Sequence, residues 1–335
     1  MKVTFRKKGI LVLLSALMLT ICSLVTGINA LAEDYPTQSV TMYIPFAAGG
    51  SMDSSSRVLA AGAEKVLGQP FVMINKTGGG GTVALGVLAG EKPDGYILSA
   101  GTSTGIFRIP VQRKVPYKPL ADFTHIFAYA AVSSGVVVKP DAPWKTWQEF
   151  VDYARQNPAK VKYSTAGAGS PMQVAMEVAG AKEGIKWIHV PYKGSMPSLT
   201  AVMGGHVEAC SSGPKFVSMV QQGQLRVLAV HTKERMVEFP DIPTFMELGY
   251  NYLNDTFFSV HGPAGMDPAV VKKLEDAFAK SVDTAEFKDM AKKFALQPLQ
   301  IGSAEYTKIL EDGWPKQVKI FVDLGRVKEA ATQPR

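Results

Sequence analysis

The chain has 335 residues, 46% hydrophobic and 19% charged, with a formal net charge of +7. That composition is ordinary for a soluble globular protein, and the length suits one large domain or two medium ones. Four of the positive charges sit in the first eight residues, so the charge is a poor argument for a nucleic-acid partner.

Those four are Lys2, Arg6, Lys7 and Lys8, and an apolar stretch from Ile10 to about Val25 follows them. Ala30-Leu31-Ala32 then supplies a small-x-small cleavage pattern, the layout of a secretory signal peptide over residues 1–32. The apolar run falls short of the roughly 20 residues that span a membrane comfortably. Cleavage after Ala32 removes the four positive charges and no acid, leaving +3 from the +7 of the full chain. A charge that weak and evenly spread does not suit nucleic acid. Cys22 lies inside the signal, and Leu19-Thr20-Ile21-Cys22 is a poor lipoprotein box, because small residues are wanted before the cysteine. Cys210 is alone in the mature chain, which excludes an internal disulfide. It sits in an apolar strand and is expected to be buried and inert.

From Val40 the chain alternates short apolar strands with amphipathic helices. Val40–Phe46 reads as a strand, Gly49-Gly50-Ser51 as a turn, and Asp53–Leu67 as a helix with Gly68 as its C-cap. Phe71–Asn75 is a second strand; Gly78–Gly81 opens a helix over Thr82–Ala89; Tyr96–Ala100 is a third strand after the turn Pro93-Asp94-Gly95. This spacing predicts parallel βαβ units. Pro110, Pro116 and Pro119 then predict a broken loop, and Ile126–Pro140 a β crossover.

A second set of elements repeats the alternation. Thr146-x-x-Glu149 is a capping box opening a helix to about Gln156, and Val161–Thr165 is a strand. Ser170 caps a helix that carries Pro171 at its first position. Trp187–Tyr192, Val207–Ser211 and Val227–Thr232 read as strands, and Ser195–Met203 as a helix. Thr256–His261 is the return crossover. Three helices are expected afterwards, starting at Asp267-Pro268, Thr284 and Ser303, with no further strand. The fold class is therefore α/β, with two lobes joined by two β crossovers: residues 33–133 plus 256–335, and residues 134–255. Interdomain clefts are preferred sites for small ligands.

Three strand ends share one design. The segments Ile44–Asp53, Ser164–Ser170 and Val190–Ser195 each place glycine and small hydroxyl residues just before a helix N-terminus. Glycine admits a ligand to the backbone, and the unpaired first N–H groups with the helix dipole favour an anion. Ligands of open α/β sheets bind at these strand ends. Taken singly, Asp53 and Ser170 are also ordinary N-cap residues. Phe46, Phe107 and Tyr192 are candidates for the pocket wall, and Lys193 for attracting an anion.

The stretch Ile44–Arg57 resembles the PF-x-x-GG-x-x-D-x-x-x-R segment of the tripartite tricarboxylate transporter receptor family, also called Bug proteins. The similarity extends through Asn75–Gly81, Pro93–Tyr96, Pro116–Phe123, Ala166–Ser170, His189–Gly194 and Asp241–Thr244. The resemblance implies a periplasmic two-lobe type II binding protein, a Venus flytrap, that carries no cofactor and performs no catalysis. It implies that loops Ala48-Gly49-Gly50-Ser51 and Thr165-Ala166-Gly167-Ala168-Gly169-Ser170 grip a ligand carboxylate, partly through water. Thr102, Ser103 and the residues to Ile106, together with Tyr192-Lys193-Gly194 and Ser211-Ser212-Gly213, would shape the rest of the pocket. An inner-membrane permease is the implied partner of a receptor acting as a monomer. Ile106 stands where many members have histidine and Ser212 where many have aspartate. Without that acid an amino-acid ligand loses an ammonium partner, which favours a plain carboxylate, aromatic or aliphatic. A sensor feeding a membrane signalling partner would use the same fold.

Two enzyme readings compete. Gly79-x-Gly81-x-x-Ala84 fits a dinucleotide fingerprint, but the following strand ends without an acid for a ribose. Gly101-x-Ser103-x-Gly105 fits the nucleophile elbow of a secreted serine hydrolase, which needs a helix directly after it; Ile106–Pro119 does not read as one. His125, His189, His206, His231 and His261 are scattered without metal-ligand spacing.

Overall fold

A computed structural model describes residues 35–46, 48–192, 195–250, 252 and 256–327. The expected signal peptide, Lys193 and Gly194 lie outside the described residues. Two mixed sheets organise the chain, one of six strands in the order β11-β4-β10-β3-β1-β2 and one of five in the order β7-β6-β8-β5-β9. The six-stranded sheet is built from β1 (Val40–Ile44), β2 (Phe71–Asn75), β3 (Ile97–Thr102), β4 (Phe123–Val132), β10 (Phe257–Pro263) and β11 (Leu296–Gly302). The five-stranded sheet contains β5 (Gly135–Val138), β6 (Lys162–Thr165), β7 (Ile188–Pro191), β8 (Ala209–Ser212) and β9 (Arg226–Val230).

Each sheet has a parallel half and an antiparallel insert. β1 pairs in parallel with β2 and β3, while β10 runs antiparallel between β3 and β4. β6 pairs in parallel with β7 and β8, while β5 runs antiparallel between β8 and β9. The chain passes from the first sheet to the second between Val132 and Gly135 and returns to the first at Phe257.

The caps read from the sequence do their work locally. α1 (Ser51–Leu67) starts two residues earlier than its pattern suggested and ends at Gly68, which takes the left-handed conformation at φ 72°. Gly79–Gly81 forms a 3₁₀ turn that leads into α2 (Thr82–Leu88). In α4 (Trp147–Gln156) the Thr146 hydroxyl accepts the Glu149 N–H, and in α5 (Pro171–Glu183) the Ser170 hydroxyl accepts the Gln173 N–H. α6 (Ser195–Met203) and α7 (Phe216–Gln221) complete the second lobe, and α8 (Pro268–Val282) and α9 (Ala285–Lys293) return to the first. α10 (Ser303–Asp323) closes the described chain.

Two expectations need correction. The proline-marked stretch after β3 is helical: a π-turn, Thr104–Arg108, runs into α3 (Ile109–Gln112). Pro110, second in α3, follows directly on the π-turn, where Ile109 N–H reaches back five residues to Thr104 O and the regular i to i−4 ladder is already interrupted. The C-terminal region also contributes a strand, β11, which pairs antiparallel with β4 at the sheet edge.

Cores form on both faces of the first sheet. α1 and α8 cross closely enough that a Cβ on Gly62 would lie 2.0 Å from Ser281 Oγ, so glycine is required there. Leu59, Ala63, Leu274 and Phe278 pack under them against β1 and β4. On the other face α10 buries Tyr306, Leu310 and Phe321. Rigid lobes on either side of two crossovers are the architecture that makes a cleft. Among the described residues no helix is long and apolar enough to cross a membrane.

Candidate functional site

The cleft between the sheets has a volume of about 1760 Å³ and takes its lining from both. From the first sheet come Phe46, Ala48, Gly49, Gly50, Ser51 and Met52, with Thr102 and Thr104 at the end of β3. From the second come the loop Ala166, Gly167, Ala168, Gly169 and Ser170, then Pro171, Met172 and Gln173 at the start of α5. The βα loops after β1 and β6 therefore face each other, as the shared strand-to-helix design requires.

The first loop is held from below. Asp53 is 4% exposed and accepts Gly49 N–H at 2.9 Å, Arg57 Nε–H at 2.9 Å and Asn75 Nδ2–H at 2.9 Å. Burial works to raise its pKa, but the hydrogen bonds from Arg57, Asn75 and Gly49 outweigh that, and the carboxyl is held below the usual range. Asn75 also donates to Phe46 O at 2.9 Å, fixing the loop's entry. The N-cap of α1 is Gly50, and no side chain caps the helix. Ser51 and Met52, the first residues of this helix, line the cleft, and no side chain caps their N–H groups.

The second loop satisfies itself. Gly169 N–H donates to Gln173 Oε1 at 2.7 Å, and Gln173 N–H donates to the Ser170 hydroxyl at 3.3 Å. Pro171 has no N–H to offer. The arrangement in both loops is a glycine N–H taken by the side chain four residues on, Asp53 in one case and Gln173 in the other. Two backbone donors that the sequence offered to an anion are thus already engaged.

Several predicted residues do not reach the cleft. Ser103 is fully buried and its Oγ accepts Phe257 N–H at 3.1 Å, tying β3 to the return crossover. A helix does follow Ser103, so the sequence objection to a nucleophile elbow fails; the objection that stands is a buried hydroxyl bonded to backbone. Thr165 is also buried, its Oγ1 bonded to Gly167 O at 2.9 Å and His189 Nε2 at 2.8 Å. Ser212 is buried at the end of β8 opposite Gly135, and only the next residue, Gly213, lines the cleft. Tyr192 instead lines a separate shallow groove of about 390 Å³ beside Met196 and His206. Ile106 and Phe107 belong to the core.

Other lining residues carried no signal in the sequence. Gln112 ends α3, read as a loop, Arg113 follows it, and Arg326 follows α10 at the far end of the chain. The cationic side chains Arg113, Lys215, Lys292, Lys293 and Arg326 line the cleft against two acids, Glu238 and Asp289. That balance raises the local concentration of anions. The apolar part of the lining comes from Phe46, Met52, Val132 and Phe258 on one side and Met172 and Pro197 on the other. Cys210 is buried, and burial raises its thiol pKa. Among the described residues no group of three or more His, Cys, Asp and Glu is placed to hold a metal ion.

Comparison with known proteins agrees with the two-lobe α/β fold. Residues 55–325 match the model of the tripartite tricarboxylate transporter family receptor. The UPF0065 protein in the gbd 5' region of Cupriavidus necator is 36% identical over 300 residues, 90% of this chain and 91% of that protein. A structure of R. palustris Rpa4515 with adipate superposes with a TM-score of 0.79 at 28% identity, covering 87% of this chain and 99% of that one. The periplasmic binding protein BugD superposes with a TM-score of 0.76 at 26% identity, covering 87% of this chain and 99% of its own. A two-lobe α/β chain with facing glycine loops, matched along nearly its whole length, belongs to the tripartite tricarboxylate transporter receptor family.

Proposed function

We propose that this protein is a periplasmic solute-binding receptor that captures a small carboxylate in the cleft, leaves it chemically unchanged and presents it to an inner-membrane permease. The observation that carries the reading is the uncapped start of α1, where Ser51 and Met52 line a cleft rimmed by cations. Each hydrogen bond to a charged group contributes roughly 1.5–3 kcal/mol. Three or four, from these amides and from hydroxyls or waters, come near the roughly 8 kcal/mol of a micromolar Kd. The apolar wall of Met52, Val132, Met172 and Phe258 suits an aliphatic or aromatic body behind the carboxylate. The adipate held by a relative of the same fold is a carboxylate of that kind.

The lobes in this reading comprise residues 33–133 with 256–335, and residues 134–255, after removal of a signal peptide at 1–32. Ligand contacts made only when the lobes close shift the population toward the closed state.

A thermal-shift screen of the chain from Glu33 against mono-, di- and tricarboxylates and amino acids tests it. A carboxylate present at 100 times its Kd stabilises by about 2.7 kcal/mol, which raises the Tm by several degrees. The matching primary amide should give no shift, and the acid should be recovered unaltered after long incubation. Equal shifts from amide and acid would overturn the anion-loop assignment, and consumption of the acid would overturn the receptor.

A further inference from the structure

The side of α5 next to the cleft carries a connected row of polar groups that ends on the other lobe. Gly169 N–H donates to Gln173 Oε1 at 2.7 Å, and Gln173 Nε2–H donates to Glu177 Oε1 at 2.7 Å. The i, i+4 spacing of Gln173 and Glu177 puts them on one helix face. Arg326, beyond the end of α10, donates Nη2–H to the same Glu177 oxygen and Nη1–H to Gln112 Oε1 at 3.3 Å. Gln112 in turn donates to Arg108 O at 2.8 Å. A Cβ on Gly169 would lie 3.8 Å from both polar atoms of the Gln112 carboxamide. The hydrogen bonds therefore leave the glycine loop of one lobe and cross to the other, where the Gln112 carboxamide lies close to the same glycine.

We propose that Gln173, Glu177 and Arg326 are positioning residues for ligand capture, holding the second glycine loop in shape and latching its lobe to the first. The latch rests on the reading of the cleft as the ligand site, although its own geometry does not need a ligand. Arg326 and Glu177 have side chains 26% and 24% exposed, so their pair is screened less by salt than a surface pair. The Glu177 carboxylate is committed through one oxygen; Oε2 is buried with no hydrogen-bond partner among the described residues. While Gln173 bridges Gly169 N–H and Glu177, the loop that covers the ligand is set in the arrangement that the Glu177–Arg326 pair ties to the other lobe. Ligand binding and the interlobe pair thereby bias each other, and the coupling is reciprocal. Where the latch favours the closed arrangement, its loss lowers apparent affinity by the fraction of closed protein lost.

The experiment uses the chain from Glu33 and needs no ligand for its first readout. Small-angle scattering of ligand-free Arg326→Gln and Glu177→Gln should give a larger radius of gyration than wild type, with an unchanged circular dichroism spectrum. The exchange variant Glu177→Arg with Arg326→Glu should return the radius toward wild type, and the exposed control Lys319→Gln should leave it alone. Single variants that scatter like wild type, or an exchange that does not recover compactness, would overturn the latch. For any carboxylate found in the thermal screen, each single variant should bind at least roughly 5-fold more weakly, with the exchange restoring affinity. A screen without hits sinks the carboxylate reading and leaves the scattering result standing; unchanged scattering sinks the latch and leaves the hits standing.

Discussion

At the start of α1 the N-cap is Gly50, which has no side chain, and Ser51 at the first helical position keeps its N–H. At the start of α5 the N-cap is Ser170, whose hydroxyl accepts Gln173 N–H, and Pro171 at the first helical position has no N–H at all. Both loops carry a left-handed glycine, Gly49 at φ 79° and Gly169 at φ 77°. Below Gly49 lies a carboxylate clamped by Arg57 and Asn75; below Gly169 lies a neutral carboxamide that leads to an ion pair with the other lobe. The same strand–glycine–helix design thus makes an open amide cradle in one lobe and a self-satisfied covering loop in the other. In the proposed receptor, anion recognition would be concentrated in the first lobe and closure in the second.

The lobes also differ in what lies beneath the crossovers, and acid should expose it with the largest effect. In the first lobe His125 and His261 meet Nδ1 to Nδ1 at 2.9 Å, with Ser259 on His261 Nε2 at 2.8 Å. In the second, His231 shares 3.1 Å with the Ser134 hydroxyl. Burial pushes His125 down to about 4 and His231 to about 3, and holds His261 well below the ordinary value, with His125 adding repulsion. Below about pH 6.5 the unfolded chain takes up protons that the folded chain refuses, so stability is complete above that pH and is lost as pH falls toward 4. For His125 alone, the drop from 6.5 to about 4 corresponds to about 3 kcal/mol. Urea midpoints measured from pH 7.5 to 4.5 should fall steeply over that window; a flat profile would show that these imidazoles are not buried neutral.

Gly169→Val comes next and tests the covering loop. A β-branched side chain at φ 77° is strained, and its methyl groups would extend beyond a Cβ already in contact with Gln112 at 3.8 Å. Affinity for a carboxylate identified in the screen should drop by roughly 100-fold or more, about 2.7 kcal/mol or above. Titration calorimetry on a variant shown to be folded decides it. Full affinity in that variant would remove the second loop from the site.

Much of this was legible in the sequence. Thr146 and Ser170 were found because an N-cap is a local device, written in residues that touch each other in the chain. The alternation of strands and helices, and the two crossovers, followed from periodicity. β11 was missed because an edge strand is held by backbone pairing. Its apolar residues Leu296 and Leu299 are three apart, which breaks the period of two, and Pro298 between them reads as a breaker; pairing with β4 is a tertiary event. α3 was missed because Pro110 was read as a breaker when the π-turn before it accommodates the missing N–H. The occupancy of the loop amides was illegible for a different reason. Whether Gly49 N–H is free depends on the rotamer of Asp53, and the cleft's Arg326 lies far from the other lining residues in sequence.

The open cradle in the first lobe can be tested by deleting one N–H. Ser51→Pro removes the donor at a position where proline fits a helix, and Gly50 before it is already extended at φ −77° and ψ 171°, as a following proline demands. Affinity should fall roughly 10- to 100-fold, the worth of one hydrogen bond to a charged group. Ser51→Ala keeps the N–H and should stay close to wild type. Equal losses in both variants would move recognition from the amide to the hydroxyl.

The smallest effect is expected from the mirror-image change in the second lobe. Pro171→Ala restores an N–H at the equivalent helix position, next to a loop whose glycine amide is already held by Gln173. If the second loop only covers the ligand, the new donor finds no anion within reach and affinity stays within roughly 3-fold of wild type, less than 1 kcal/mol. A tenfold gain would mean that the carboxylate sits between the two helix starts, equally served by both. The first lobe would then hold no privileged cradle, and the asymmetry of the two loops would concern closure alone.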